Sequence, residues 1–217
     1  MVKRFCGKIL LCVVAVAGLG LGALPAQAQR VSLTDLQNQI AASVTCPAAL
    51  PGQPGFVDKG DGTVCDAATG LMWEKKLACA DPVNPRCVLN LYTWTAPSPP
   101  RTEPTGTLFN DFLERLNDLK EPNDGAATPC FAGHCDWRIP TVAELRSILI
   151  APFPNCLANP CIDPIFGPTK PDSYWTSTSW ARIPTAAWTV YFPVGAVDEG
   201  TPKDIANLAA RAVRSGR

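Results

Sequence analysis

The sequence predicts an α+β fold that is rich in loops and braced by disulfides. Two segments repeat apolar residues at helical spacing, and several shorter runs are rich in β-branched and aromatic residues. Closely spaced pairs of cysteines lie between these segments. The 217 residues include 22 prolines, yet glycine and proline together stay below the level that indicates disorder, so we expect ordered loops.

The first element, residues 1–28, has the pattern of a secretory signal peptide. Three basic residues precede an uncharged apolar run from Ile9 to Leu24, and the small-residue site Ala26-Gln27-Ala28 follows. The run is shorter than the roughly 20 apolar residues of a membrane-spanning helix. We therefore expect cleavage, no membrane insertion afterwards, and a secreted, periplasmic or cell-surface location.

Residues 29–55 are predicted to form an N-terminal helix and a linker, and residues 56–217 one domain. Apolar residues recur at helical spacing between Val31 and Ile40, and alanine and proline mark Pro47 to Pro54. The predicted leader holds three of the 19 basic residues and none of the 19 acidic ones, so the mature chain is slightly acidic. It has no basic cluster suited to phosphates, which argues against nucleic acid as a partner.

Eight cysteines remain after leader removal, and an even number in an exported chain indicates disulfides. Eight cysteines allow 105 pairings. Three pairs are close in sequence, and we predict these local bridges with the two remaining cysteines as the fourth. The predicted pairs are Cys79–Cys87, Cys130–Cys135, Cys156–Cys161 and Cys46–Cys65.

The predicted domain begins with three short strands. The tight-turn signal Asp61-Gly62 lies between Phe56–Asp58 and Thr63–Asp66, and a second turn leads to a strand that starts at Leu71–Glu74. A loop-rich segment follows from Cys79 to Pro104. It is interrupted by a candidate strand, Leu89 to Thr95, which carries Tyr92 and Trp94.

Two helices are predicted further on. Apolar residues recur at steps of three and four from Leu108 to Leu119. Thr141 and Glu144 form a capping box that begins a second helix, which we expect Pro152 and Pro154 to end.

The C-terminal part is predicted to be β-rich. Ser173 to Trp180 and Ala187 to Phe192 are aromatic, β-branched runs that predict two antiparallel strands. The tail from Asp204 to Arg214 is ambiguous, because its composition favours helix while Ala210 to Arg214 can alternate as a strand.

Five motifs follow one another in order: FVDKGDGTVCDAATGLMWE (56–74), DWRIPTVAEL (136–145), YWTST (174–178), Ala187-Trp188, and ARAVR (210–214). This order resembles the Lcl C-terminal domain family, named for the terminal domain of a bacterial collagen-like adhesin, and the resemblance covers about Phe56 to Arg214. It implies a C-type-lectin-like fold, with two helices packed on small antiparallel β-sheets, related to the formylglycine-generating enzyme and to lectins. It also implies that 210–214 is the closing strand.

The resemblance implies binding or adhesion. The adhesin is linked to sulfated glycosaminoglycans and to trimers, but this chain has no collagen-like repeat, and its mature charge is slightly negative where a sulfated polymer would favour a basic face. We expect an exported, non-catalytic binding or adhesion module whose partner is a glycan or a surface protein. One alternative is a structural or assembly component of the cell envelope without a small ligand. An oxidase related to the formylglycine-generating enzyme is a third, and it would require a pair of unpaired, reactive cysteines.

The residues offer little for catalysis or metal binding, and we predict no enzyme, cofactor or metal. His134 is the only histidine, and its context between Cys130 and Cys135 lacks the paired ligand spacing of a zinc site.

Asp58, Asp61 and Asp66 could hold calcium. Lys59 lies among them, and an EF-hand-like ligand pattern is lacking, so ordinary turn roles are favoured while calcium stays open.

Trp180, Arg182 and Tyr92 are the candidate ligand-binding residues, because an apolar ring beside a charge suits a polar ligand. The tryptophans within the motifs are instead predicted to be core residues. These are Trp73, Trp137, Trp175 and Trp188.

Overall fold

The computed structural model describes Cys46 and residues 55–118, 130–152 and 160–216. The predicted signal peptide, the predicted helix and linker before residue 55, Cys156 and Pro154 lie outside the described residues. The described residues form an α+β structure with two small antiparallel sheets and few helices, which confirms the predicted class. Within them, no helix is both long enough and apolar enough to cross a membrane.

The described strands, in chain order, are β1 (Phe56–Asp58), β2 (Thr63–Asp66), β3 (Leu71–Glu74), β4 (Ser173–Ser179), β5 (Ala186–Tyr191), β6 (Ala196–Pro202) and β7 (Val213–Ser215). Helix α1 combines a π-helical part, Leu108–Leu113, with an α-helical turn, Glu114–Leu116, and helix α2 is Val142–Ser147. Short 3₁₀ turns occur at Phe131–Gly133 and Pro164–Phe166. The first sheet has the strand order β1-β2-β3-β7 and the second has β4-β5-β6.

The first sheet confirms the three predicted N-terminal strands. Its β1–β2 turn forms because the Asp61 carboxylate accepts hydrogen bonds from the backbone N–H and the hydroxyl of Thr63, at 2.9 and 2.6 Å. The closing strand implied by the family resemblance is present in part as β7, which begins three residues after the predicted start and ends one residue beyond the predicted end, with Val213 opposite Trp73. This part of the tail forms a strand, although its composition favours a helix, because it is buried against β3.

The disulfide predictions hold for the described pairs. Cys46–Cys65, Cys79–Cys87 and Cys130–Cys135 are bonded. Cys161 is also disulfide-bonded, and its predicted partner lies outside the described residues.

Both predicted helices are present in shorter form. In α1, Leu108, Phe112 and Leu116 are buried, as the periodicity predicts. In α2, the Thr141 side chain accepts from the Glu144 backbone N–H and the Glu144 carboxylate accepts from that of Thr141, which confirms the capping box. The predicted stop is wrong, since α2 ends at Ser147, before the prolines.

Two further expectations need correction. Leu89 to Thr95 does not form a strand: its backbone meets the tail only at separate points, such as the bridge between Tyr92 and Leu208. Sheet β4-β5-β6 confirms the two predicted strands and adds β6, which the sequence did not predict.

The core contains charged as well as apolar side chains. Arg211 is fully buried and donates to the carbonyl oxygens of Glu74 and Phe166, at 2.8 and 3.1 Å. The Lys76 ammonium lies 2.8 Å from the Glu74 carboxylate, and both side chains are buried. Burial lowers the pKa of Lys76 to about 8, although Glu74 opposes this shift.

Candidate functional site

The strongest candidate site lies at the turn that joins β4 to β5. The backbone N–H of Trp180 donates to the carbonyl oxygen of Ala186 at 2.9 Å, and Ile183 donates to that of Trp180 at 3.1 Å. Ala186 then donates to the carbonyl oxygen of Ile183 at 2.9 Å. These bonds fix the turn that presents Trp180 and Arg182, two of the three residues predicted from the sequence.

The indole of Trp180 is half-buried and packs on the backbone of β6. A β-carbon at position 200 would lie 3.1 Å from Cζ3 of Trp180, closer than an ordinary van der Waals contact. The absence of a side chain at Gly200 therefore lets the Trp180 ring pack at this position. The backbone φ of Gly200, +81°, also favours glycine. The six-membered part of the ring lies against β6, while part of the residue stays accessible.

The second sheet is irregular around Trp188. Between the pairs Trp175–Thr189 and Ser179–Ala187, β4 places three residues opposite Trp188 alone. On the other side, Glu199 and Gly200 of β6 together oppose the same residue. Such bulges re-aim side chains and are over-represented next to functional sites.

Trp188 was predicted to be a core residue, and that prediction is wrong. It is half-buried. The two buried clusters of the described residues include Trp73, Trp137 and Trp175 but neither Trp188 nor Trp180. The register explains this difference, because Trp188 sits where both neighbouring strands bulge.

Exposed charged and apolar residues are near these tryptophans along the chain. Arg182 and Ile183 are exposed in the turn, and Glu199 is exposed beside Gly200 in β6. We name the set of Trp180, Arg182, Ile183, Trp188 and Glu199 the Trp180 surface. Flat indoles beside a cation and a carboxylate can pack on the apolar face of a ligand and hydrogen-bond its polar groups.

The structure does not bring Tyr92 to the Trp180 surface. Its side chain is only 3% exposed, and its ring packs against Phe112 with centroids 5.0 Å apart. Its hydroxyl donates to the carbonyl oxygen of Pro85, and burial raises its pKa. Tyr92 is placed as a core residue, so the candidate site does not include it.

The aspartates of the first hairpin have turn roles. Asp58 accepts from the backbone N–H of Gly60 and pairs with Lys75. Asp66 accepts from the backbone N–H of Ala68 at 3.0 Å and from the Thr69 hydroxyl at 2.6 Å. Their carboxylates are thus oriented by the turns.

His134 lies in the loop closed by the Cys130–Cys135 disulfide, so those two sulfurs are not thiolates. Its ring is edge-on to Trp137, and burial lowers its pKa.

A second surface has a different character. Leu77, Val83, Leu89 and Leu91 are exposed around the Cys79–Cys87 disulfide. An apolar depression of about 340 Å³ lies between Ala78, Cys79, Ala80, Val88 and Leu89. This apolar surface lacks the charged neighbours of the Trp180 surface along its described lining, which favours an apolar contact over a polar ligand.

Sequence reasoning missed Gly200, Lys203 and the exposure of Trp188. Gly200 lies in a stretch with two acidic residues and a proline, which resembles a loop. Lys203 is buried, and no pattern in the sequence distinguishes it from a surface lysine.

A family model described as the Lcl C-terminal domain matches residues 62–214. No curated protein and no solved structure matches the chain.

Proposed function

The chain belongs to the Lcl C-terminal domain family, and from this premise we propose that it is an extracellular, non-catalytic, adhesin-type domain that binds carbohydrate through the Trp180 surface. The C-type-lectin-like fold that the family resemblance implies is part of this proposal. The described disulfides fit an oxidising compartment such as the periplasm or the cell exterior.

One observation carries the proposal: two partly exposed tryptophans lie at the irregular part of the second sheet, outside the buried clusters. The Trp180 ring lies against Gly200, and Trp188 stands at the β5 position that Glu199 and Gly200 bulge around. The part of each ring that is open to water is apolar surface, and covering it with a ligand would be favourable. Indoles suit sugars because a sugar ring has an apolar C–H face and a polar rim.

The flanking charges extend this argument. Arg182 can donate several hydrogen bonds to ligand oxygens, while Glu199 can accept from ligand hydroxyls. A site that offers both donors and acceptors beside a ring fits hydroxyl-rich ligands better than purely apolar ones. A glycan on an external polymer or on a surface glycoprotein is therefore the proposed partner.

The test is a glycan array with neutral, amino-sugar and uronic-acid oligosaccharides, probed with purified, oxidised protein. We expect a subset of these glycans to bind and Trp180→Ala to weaken that binding about tenfold or more. Tyr191→Ala is the matched control, because Tyr191 is also an aromatic residue of the second sheet and is 38% exposed. Equal binding by both variants, or no bound glycan at all, would contradict the proposal.

The apolar surface at the Cys79–Cys87 disulfide favours a second candidate, a structural or assembly component of the envelope without a small ligand. In that case the protein would self-associate or join a partner through Leu89. Leu89→Asp would abolish that association and leave glycan binding unchanged. The array and a sedimentation experiment on the same samples therefore separate the two functions.

The oxidase alternative has little support. It needs a reactive pair of thiols, but each described cysteine is disulfide-bonded. A thiol titration of the denatured protein that found free cysteines would revive it.

A further inference from the structure

Lys203 follows directly after β6 and places its ammonium group in a cage of neutral oxygens. Its Nζ atom donates to the hydroxyl of Ser179 at 2.7 Å, to the carbonyl oxygen of Pro184 at 2.8 Å and to that of Thr102 at 3.4 Å. It also lies 3.8 Å from the centroid of the Trp94 ring. The residue is only 1% exposed.

The contacts use the whole donor capacity of the ammonium group. A charged lysine has three N–H donors and no acceptor, and here three oxygen atoms face it. The fourth side is closed by the face of Trp94, which attracts a cation through its quadrupole. A methionine of similar length would fill the volume but could donate to none of the three oxygens.

The cage joins segments that are distant in sequence. Ser179 ends β4, and Pro184 belongs to the turn that presents Trp180. Thr102 belongs to the proline-rich loop before α1. The backbone N–H of Lys203 adds a fourth tie, since it donates to the carbonyl oxygen of Thr185 at 3.0 Å.

We propose that Lys203 is the positioning residue of the Trp180 surface: its buried ammonium group clamps the turn from Trp180 to Thr185 onto the sheet and onto the loop around Thr102. The part concerning ligand affinity rests on the proposed function, whereas the clamp itself does not. The clamp also brings the Thr102 loop, with its exposed Arg101, alongside the turn that carries Arg182.

A purely stabilising role is a poor explanation for this lysine. Burial lowers its pKa, which means that the charged form pays a desolvation cost in the folded protein. Replacement of the ammonium group by an apolar side chain removes that desolvation cost but leaves three oxygens without this donor, so the two effects on overall stability oppose each other. Lys203→Met should accordingly change the local order of the turn far more than the midpoint of global unfolding.

The test compares Lys203→Met with Lys170→Met, which removes the same ammonium group from a half-exposed ion pair with Asp172. Hydrogen exchange is measured at the backbone amides of Ile183 and Ala186, whose bonds close the turn. We expect Lys203→Met to exchange at least about tenfold faster there, while exchange at Val190 in β5 stays within about twofold of the parent protein. Ser179→Ala removes one acceptor of the cage and should give a smaller change in the same direction, even where Lys203→Met folds poorly.

The same variants are then applied to the glycan array described above. Faster exchange together with weaker glycan binding supports the proposal. Faster exchange in a protein whose parent binds no array glycan supports the clamp and overturns the carbohydrate function. Unchanged exchange at Ile183 and Ala186 in both Lys203→Met and Ser179→Ala overturns the clamp, whatever the glycan result.

Discussion

Trp180 packs against Gly200 so closely that a side chain at that position would force the ring to shift. A β-carbon there would lie 3.1 Å from Cζ3 and 3.5 Å from Cε3 of the indole. The contact links the β4–β5 turn to a strand that lies beyond β5 in the sheet. The orientation of the Trp180 ring therefore depends on Gly200, although Gly200 is not among the residues proposed to bind the ligand.

Gly200→Ala should therefore displace the Trp180 ring and weaken glycan binding by about fivefold or more. The change also costs roughly 1 kcal/mol of stability, because alanine is disfavoured at a φ of +81°. Calorimetric titration with the tightest array glycan measures the first effect, and chemical denaturation measures the second.

Gly60→Ala is the matched control for this prediction. Gly60 has a φ of +77°, but a β-carbon there would meet nothing within 4 Å. It should lose similar stability and keep its affinity for the glycan. An equal loss of affinity in both variants would show that strain, rather than the indole contact, causes the effect.

The second sheet shows how far the sequence could predict this surface. Aromatic and β-branched residues mark β4 and β5, and both strands formed as predicted. Strand β6 has the sequence AVDEGTP, in which Asp, Glu, Gly and Pro disfavour strands. It forms because it pairs with β5 at five positions, and that tertiary pairing has no local signal in the sequence.

Only the part of the candidate site that is local in sequence could be predicted. Trp180 and Arg182 are near each other in sequence, so a local pattern could identify them. Gly200 comes close to Trp180 because β6 pairs with β5, and Lys203 is buried. A pattern of residues along the sequence shows neither the strand pairing nor the burial. Tyr92 was misassigned because an aromatic residue in a proline-rich segment resembles a surface residue, whereas the tail covers it.

The buried pair of Lys76 and Glu74 predicts a pH dependence of stability. The pKa of Lys76 is lowered from 10.5 to about 8 by burial, so between these values the unfolded chain binds more protons than the folded one. Stability should thus rise with pH above about 8, by at most about 3 kcal/mol. Above about pH 10 the buried Tyr92 and Tyr174, whose pKa values are raised, oppose this gain.

Denaturant midpoints between pH 7.5 and 9.5 measure this rise. The double variant Glu74→Gln/Lys76→Met should abolish it without leaving a lone buried charge. Lys75→Met is the control, since Lys75 pairs with Asp58 near the surface and should leave the rise intact. A flat profile in the parent protein would contradict a lowered Lys76 pKa.

The capping box of α2 predicts a measurable cost at its first residue. Thr141→Ala removes the acceptor of the Glu144 backbone N–H and should cost about 1 kcal/mol. Ser147→Ala, at the other end of the helix, removes one exposed hydrogen bond and should be nearly neutral. The free energy of unfolding is measured by urea denaturation. A similar loss in both variants would mean that the capping hydrogen bond stabilises the protein no more than an ordinary exposed hydrogen bond.

Glu144 adds an acid-dependent contribution to the same helix. Its pKa is lowered to about 2, first by the hydrogen bonds from Arg138 and then by those from Thr141. A lowered carboxyl pKa gives stability that is present above about pH 4.5 and is lost as the pH falls toward about 2. Glu144→Gln should flatten this part of the acid titration of stability, and an unchanged slope would refute the pairing with Arg138.

The first two described disulfides should differ in their importance for stability. Cys46–Cys65 closes a loop with a sequence separation of 19 and is buried in the first core cluster, whereas Cys79–Cys87 closes one of 8 with Cys79 partly exposed. Chain entropy alone gives about 3 kcal/mol for the longer loop and slightly less for the shorter. Removal of the sulfurs adds a packing loss, because Cys46 and Cys65 are only 7% and 0% exposed. Cys46→Ala/Cys65→Ala should therefore lower the free energy of unfolding by about 1 kcal/mol or more beyond Cys79→Ala/Cys87→Ala. Equal losses in equilibrium denaturation would mean that loop entropy alone decides, and that the packing of Cys46 beside β3 and β7 contributes little.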